Sequence, residues 1–523
     1  MVWEGGGAAI PVTRTDRVLL RWFPRLPARA RGFTSALSLL SMQSKGPSPA
    51  APASLPLTML ESVCQAVHPD RACPVPPSRE ETAMSASYNR RQFLNQVAAT
   101  GAAASLAAAA PPERTAEAID KVRIGFVGVG GRGRGDLGNL LKMEGVDVRA
   151  ICDIVEANVV RAQKMVSDAG QAQPEAYSRG ETDYKRLCDR EDLDLVFTAT
   201  PWELHTPVCV EAMKKGKHAA SEVPIAVTLD ECWELVETSE QTGRYCIQME
   251  NCNYDRIELM VLNMVRQNLF GDLVHARCGY LHDLRAGKFN DAGGRKLWRL
   301  DHALRRNGDL YPTHGLGPVA QCLNINRGNQ FDHMVAMSSK SQSLHEYAVA
   351  KFGPDSPQAK LDIALGDVVT SLIRTRAGQT VLVTHDTDTP RPYSRDYLIQ
   401  GTKGIVQKYP EPLIHIDGKS PGHDWEDLIA AYAEQFEHPL WRALEERAKG
   451  SGHGGMDFVQ AYRLIYCLRN GQPLDTDVYD GAALCAVSEL SERSIAARSK
   501  TLDFPDFTRG NWMSRKPLGI VTA

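Results

Sequence analysis

The chain has no CxxC, no CxxC…CxxC and no HExxH string, so none of its 12 cysteines falls into a familiar zinc-binding spacing. Cys246 and Cys252 are the closest-spaced pair, and they read as small buried thiols beside strand ends. An excess of one charge is also missing. Lys and Arg total 60 against 63 Asp and Glu, with a pI near 6.5, which excludes the basic footprint of a nucleic-acid partner. No apolar run approaches the ~20 residues that cross a bilayer, so no stable membrane span is expected. What is present is an ordinary globular balance, 43% hydrophobic and 24% charged, over 523 residues. That length exceeds what one core usually supports, and two packed domains behind a leader are expected.

The leader has two parts. Residues 1–83 are rich in Pro, Ala, Ser and Arg without a sustained period, and they read as a non-native or disordered extension. From Met84 the text changes. Asn89, Arg90, Arg91, Gln92, Phe93 and Leu94 form a twin-arginine motif, followed by a mildly apolar run from Val97 to Ala110 that ends in the small residues Ala108, Ala109 and Ala110. A chance Arg-Arg before an alanine-rich linker has to explain three features falling in the right order. Residues 84–112 are therefore expected to be a twin-arginine signal peptide, with translation from Met84 and export to the periplasm or outside a bacterial cell.

Residues 122–127 form a short apolar run leading into Gly128, Val129, Gly130, Gly131, Arg132 and Gly133, a GxGxxG string with a plausible helix behind it. The glycines permit a tight turn and close approach of a pyrophosphate to backbone N–H groups at a helix start. Context strengthens this signal: 146–152 reads as the next strand, and Asp153 stands 20 residues after Gly133, where a carboxylate can bind ribose hydroxyls and disfavour a 2′-phosphate. Arg132 and Arg134 pull the other way. Further buried strands are expected at 193–200, ending in Thr200, Pro201, Trp202, Glu203, Leu204 and His205, and at 218–221, delivering Glu222, Val223 and Pro224. The fold class is α/β: an N-terminal Rossmann domain over 120–248, then an α+β domain over 249–523 with an open, mainly antiparallel sheet. The latter is expected from a helix at 257–268 and β-rich stretches at 273–280, 368–375 and 380–384, one face serving a substrate and another self-association, so that a homo-oligomer is expected. The Gly/His-rich string from Ser451 to Asp457 reads as a specialised turn before a helix at 458–468 rather than as a metal loop, and no metal is expected.

At these residues the chain resembles the Gfo/Idh/MocA oxidoreductases, in which a Thr-Pro-x-x-x-His strand end and a Glu-Lys-Pro loop recur. Val223 replaces the lysine, which weakens the reading as an ordinary sugar dehydrogenase. The branch with valine there is glycoside hydrolase family 109. The resemblance continues through Glu250-Asn251-Cys252-Asn253-Tyr254, the string from Gly279 to Arg285, Trp298-Arg299, the string from Tyr311 to Gly317, Arg391-Pro392-Tyr393-Ser394-Arg395 and Val478-Tyr479-Asp480. It spans Lys121 to the chain end.

The resemblance implies NAD contacts from Gly131, Arg132, Asp153, Trp202, Glu203, Leu204, His205, Glu222, Val223 and Asn251, beside the loop glycines Gly128, Gly130 and Gly133. Leu204 stands where an aromatic residue is expected. Sugar contacts are implied for Tyr280, Arg299, Tyr311, His314 and Tyr393. The implied activity is hydrolysis of terminal α-N-acetylgalactosamine, or a related hexoside, without the usual carboxylate pair. It proceeds by oxidation at sugar C3, elimination of the C1 oxygen, addition of water and reduction, with no net redox change. Outside the cytoplasm no NAD pool exists, so the cofactor is expected to be tightly held and recycled within each turnover. His314 is the expected principal base, with Tyr311 beside it, because imidazole titrates near neutrality. A capping or core histidine is the plain alternative. Tyr280 and Tyr393 are read as phenols over a sugar face, Arg299 as a group orienting the acetamido substituent or the developing C3 oxyanion, and Glu250 as a carboxylate behind the site. Rival readings are an NAD-dependent sugar or inositol dehydrogenase and a non-catalytic NAD-binding sugar sensor.

Overall fold

The computed structural model describes residues 117–291, 297–518 and 520; the expected leader, 1–83 and 84–112, lies outside the described residues. The first sheet has six strands: β1 (Val122–Val127), β2 (Val146–Cys152), β3 (Glu175–Tyr177), β4 (Leu195–Thr198), β5 (His218–Ser221) and β6 (Cys246–Gln248). They lie in the order β3-β2-β1-β4-β5-β6, and every pair is parallel. β4 and β5 are buried at every position, as parallel strands covered by helices on both faces must be. β4 is shorter than its apolar run: Ala199 N–H still donates to the Val127 carbonyl of β1 (2.9 Å), and the chain then turns into the loop at Thr200 and Pro201, proline having no N–H to continue the ladder.

The second sheet holds β7 (Leu273–Leu281), β8 (Phe331–Ser338), β9 (Val369–Thr375), β10 (Thr380–Asp386), β11 (Leu398–Gly401), β12 (Gly404–Gln407), β13 (Leu413–Ile416), β14 (Glu426–Asp427) and β15 (Leu502–Asp503). The order is β14-β13-β12-β11-β7-β10-β9-β8-β15. Its pairs are antiparallel except β7 with β10. β9 alternates buried and exposed residues without a break, so one face of this sheet is packed and the other wet. The register sets Tyr280 opposite His385, on the packed face, whereas Met337 and Leu372 stand exposed on the opposite one.

The end of β6 at Gln248 meets the expected boundary, but the chain then returns to the first sheet. Helices Met456–Arg469 and Val478–Ala496 dock on the Rossmann half: Ile119 N–H donates to the Leu468 carbonyl (3.1 Å) and Leu229 N–H to Glu489 (2.6 Å). One hydrophobic cluster runs from Val122 to Ile520 through both halves. The helix expected at 257–268 spans Arg256–Arg266, stopped before Asn268 at a φ of 58°.

Candidate active site

The glycine loop comes first because its geometry is local. Gly128 has a φ of +82°, and a Cβ there would lie 2.8 Å from the Ala199 backbone. A Cβ on Gly133 would lie 2.0 Å from the Gly128 carbonyl oxygen, so glycine is what lets helix Gly131–Leu140 sit against the strand. Gly130, at the helix N-cap, faces open space: a Cβ would meet nothing within 4 Å. That space adjoins the unpaired N–H groups of a helix start, the setting a pyrophosphate uses. At the end of β2, Asp153 accepts from Val129 N–H (3.0 Å) and Val155 N–H (2.8 Å), which fixes its carboxylate beside the loop. The cradle and the acid together fit a dinucleotide.

Arg132 is placed differently from a free phosphate ligand. Its guanidinium donates to Glu222 (2.8 and 2.7 Å) and Asp457 (2.6 Å) and pairs with Asp136 at 3.1 Å. Burial opposes its charge, but Glu222, Asp136 and Asp457 outweigh burial and hold its pKa well above the ordinary value. Asn251 joins the same cluster by donating to Asp457 (2.7 Å). Burial pushes Asp457 upward, yet hydrogen bonds from His453 and Arg132 bring it below the usual carboxylate range. His205 is buried, with Nδ1 2.7 Å from the Pro224 carbonyl and Nε2 2.8 Å from that of Thr200, so it clamps the loop after β4 to the loop after β5. Trp202 and Val223 are buried in a second hydrophobic cluster with Tyr280 and Tyr311, whereas Glu203 lies 3.5 Å from His302 and Leu204 is half-buried.

The aromatic side of the site is assembled from separate elements. Helix Thr313–Cys322 begins after Pro312 and sets His314 beside Tyr311, rings 4.9 Å apart and perpendicular. His314 Nδ1 lies 2.7 Å from Oε1 of buried Glu250. A carboxylate only accepts, so Nδ1 carries the proton and Nε2 presents its lone pair, with the Tyr311 hydroxyl 3.4 Å away. Burial pushes the Glu250 carboxyl up, but His314 beside it outweighs burial and the net shift is downward. Tyr280 packs 4.6 Å from Tyr311 and 5.5 Å from His314 by ring centroids, and its hydroxyl lies 3.0 Å from His282. The Arg299 guanidinium sits over Trp298 (4.5 Å), Trp202 (5.1 Å) and Tyr311 (5.5 Å). Tyr393 stands at the rim, 40% exposed and 6.3 Å from the Tyr280 ring, its hydroxyl accepting from Arg395 (3.2 Å). Burial pushes the Tyr280 and Tyr311 phenols upward, so both stay protonated donors.

The structure thus brings Tyr280, Arg299, Tyr311 and His314 together, with Tyr393 at the edge. A pocket with an empty volume of about 280 Å³ opens from Trp202, Arg299 and Tyr311 and is lined further by Leu284, Lys288, Leu310, Leu365, His385 and Thr387, without a carboxylate among them. Glu250, Cys252 and His314 offer ligand atoms within 4.8 Å of one another. The first and last already bond each other, and burial pushes the Cys252 thiol well up, so the group presents an imidazole braced by a carboxylate. Lys288, His385 and Asp457 are the residues that sequence reasoning missed. Only Asp457 carried a signal, its place at the end of the Ser451–Asp457 string.

Residues 122–249 match the family model of the oxidoreductase family with an NAD-binding Rossmann fold, and residues 254–514 match that of the glycosyl hydrolase 109 C-terminal domain. A glycosyl hydrolase family 109 protein of Shewanella amazonensis is 46% identical over 453 residues, 83% of this chain and 100% of its own length. An alpha-N-acetylgalactosaminidase of Shewanella oneidensis is 46% identical over 77% of this chain and 89% of its own. Among solved structures, levoglucosan dehydrogenase in complex with NADH and levoglucosan has a TM-score of 0.56 at 19% identity, covering 74% of this chain and 100% of that one. An inositol dehydrogenase homolog complexed with NAD+ from Azotobacter vinelandii has a TM-score of 0.55 at 17% identity, covering 75% and 99%. At such identities these two speak for the fold alone.

Proposed function

Because the chain belongs to glycosyl hydrolase family 109, we propose that it hydrolyses terminal α-N-acetylgalactosaminides, or closely related hexosides, by redox-neutral chemistry with a tightly held NAD. The observation that carries this reading is a single braced imidazole, His314 on Glu250, packed beside Tyr311, which lines an aromatic and cationic pocket without a carboxylate pair. Gly128, Gly130, Gly131, Gly133 and Asp153 would hold the dinucleotide, with Trp202, Val223 and the Glu222–Arg132–Asp457 cluster shaping its nicotinamide end. NAD supplies a reversible hydride acceptor for sugar C3, which leaves the hydrogen at C2 acidic.

The protein's residues do the rest. His314 Nε2 takes the proton whose loss lets the glycosidic oxygen leave, and it returns a proton when water has added. Glu250 fixes the imidazole tautomer and balances its charge while it is protonated. The Tyr280 and Tyr311 hydroxyls and the Arg299 guanidinium supply fixed donors for the oxygen on which negative charge develops. Stacked rings exclude water from the reacting carbons.

The test is an aryl α-N-acetylgalactosaminide offered without added NAD. Release of the aryl group with no net NADH absorbance supports the reading. Turnover that needs added NAD and accumulates NADH supports a dehydrogenase instead. Export by the twin-arginine route is part of the proposal, supported by residues 89–94 and by the need to carry a seated cofactor. Self-association through the exposed sheet face bearing Met337 and Leu372 is another part, and light scattering on the purified protein reads it as a mass above one chain.

A further inference from the structure

The pocket behind Arg299 is more elaborate than a plain hexose needs. Lys288, at the end of the short helix Arg285–Lys288, is buried, with Nζ 3.0 Å from Thr387 Oγ1 and 2.5 Å from Asp388. Arg299 lies among three aromatic rings and has no ion pair or hydrogen bond among the described residues. His385 is 2% exposed, lines the same pocket, and its Nδ1 has no hydrogen-bond partner among the described residues. The register between β7 and β10 puts it on the face that carries Tyr280, so this group continues the sugar site rather than forming a remote core.

Two cationic side chains thus line one pocket with an unsatisfied imidazole: Lys288 is paired with Asp388 and also feels Asp386, whereas Arg299 has no ion pair among the described residues. The positive character is felt within the group: burial first, then Lys288 and Arg299, depress His385 to about 3 and keep it neutral. Burial likewise depresses Lys288, against the pull of Asp388. Asp388 compensates the buried Lys288, whereas the half-buried Arg299 has no anionic partner among the described residues, and an incoming oxyanion would supply one. Leu284, Leu310, Leu365 and Trp202 form the apolar walls of this pocket.

We propose that the pocket of Lys288, Arg299, His385 and Thr387 is a subsite for a small oxyanion, a sulfate ester or carboxylate, carried by the sugar that occupies the site. The oxyanion would accept from the Lys288 ammonium and the Arg299 guanidinium, and Nδ1–H of His385 would find the acceptor that the protein alone does not provide. The proposal rests on the glycosidase reading only for what carries the oxyanion.

The test measures binding, not turnover, so its failure is separable from failure of that reading. Calorimetric titration of the NAD-loaded protein compares N-acetylgalactosamine, its 4-sulfate, its 6-sulfate and inorganic sulfate. At least one sulfated sugar should bind at least tenfold more tightly than the parent sugar, and Lys288→Met should abolish that gain with NAD content unchanged. Where Lys288→Met fails to fold, the double variant Lys288→Met with Asp388→Asn, which removes both charges of the buried pair, should show the same loss. Parent sugar binding as tightly as both sulfates, a gain that persists in the variant, or saturable inorganic sulfate with no gain from the sulfated sugars would each overturn the proposal.

Discussion

The two sides of the active site use charge in opposite ways. On the cofactor side the Arg132 guanidinium beside the glycine loop is tied up: it meets Glu222, Asp136 and Asp457, and Asn251 reaches the same Asp457. On the sugar side polar groups are left open. His314 Nε2 keeps a lone pair, Arg299 rests on aromatic rings, and one oxygen of buried Asp309 has no partner. A site that holds a ligand by backbone and shape can commit its side chains to bracing each other. A site that must move protons has to leave some of them unsatisfied until substrate arrives, and that costs stability.

Substitutions can break or sharpen this contrast. The largest effect is expected from His314→Ala, which should lower kcat by about 10³-fold, within the range for removal of a general acid–base group, while NAD content measured by absorbance stays unchanged. A fall in NAD content would merge the two sides, and unchanged turnover would show that His314 is not the base. Glu250→Gln should lower kcat by about 10²-fold with KM little changed, because an amide, unlike the carboxylate, neither balances the imidazolium charge nor enforces one tautomer; steady-state kinetics read this directly.

Asp309 tests the stability side of the comparison. Burial raises its carboxyl to about 7, and among the described residues only the Tyr311 N–H is donated to it (3.2 Å). The folded state therefore binds a proton that the unfolded state has released above about pH 4, so wild-type stability should fall as pH rises from about 4 to about 7. Asp309→Asn should remove that slope, a difference of ~2 kcal/mol between pH 5 and 7 in denaturant midpoints. A wild type that gains stability over that window relative to the variant would contradict the assignment.

The smallest effect separates ligand from fold within the glycine loop. Gly130→Ala should weaken NAD retention about tenfold while leaving the apo protein's melting temperature within a degree or two, because the new methyl meets solvent space and not protein. Gly128→Ala should lower both, since its Cβ would press on the Ala199 backbone at a φ of +82°. Equal loss of melting temperature in the two variants would mean that the loop's openness is structural.

Much of this was legible in the sequence where the physics is local. A strand–GxGxxG–helix string dictates its own turn, and β1 and β2 occupy the apolar runs that suggested them. Tyr311 and His314, three residues apart at a helix start, were bound to share a pocket. The split into a parallel and a mainly antiparallel sheet followed from runs that are apolar throughout against runs that alternate.

Other parts were invisible for a definite reason. Glu250 meets His314 across 64 residues, Lys288 meets Asp388 across 100, and Arg132 meets Asp457 across 325. No period or spacing encodes such pairs. Sequence alone determined which segments form a nucleotide-binding turn and which residue types line a sugar site. Only the tertiary structure decided which imidazole nitrogen is free, which arginine is neutralised and which remains open, because those outcomes depend on which side chains the folded chain packs within 3 Å of one another.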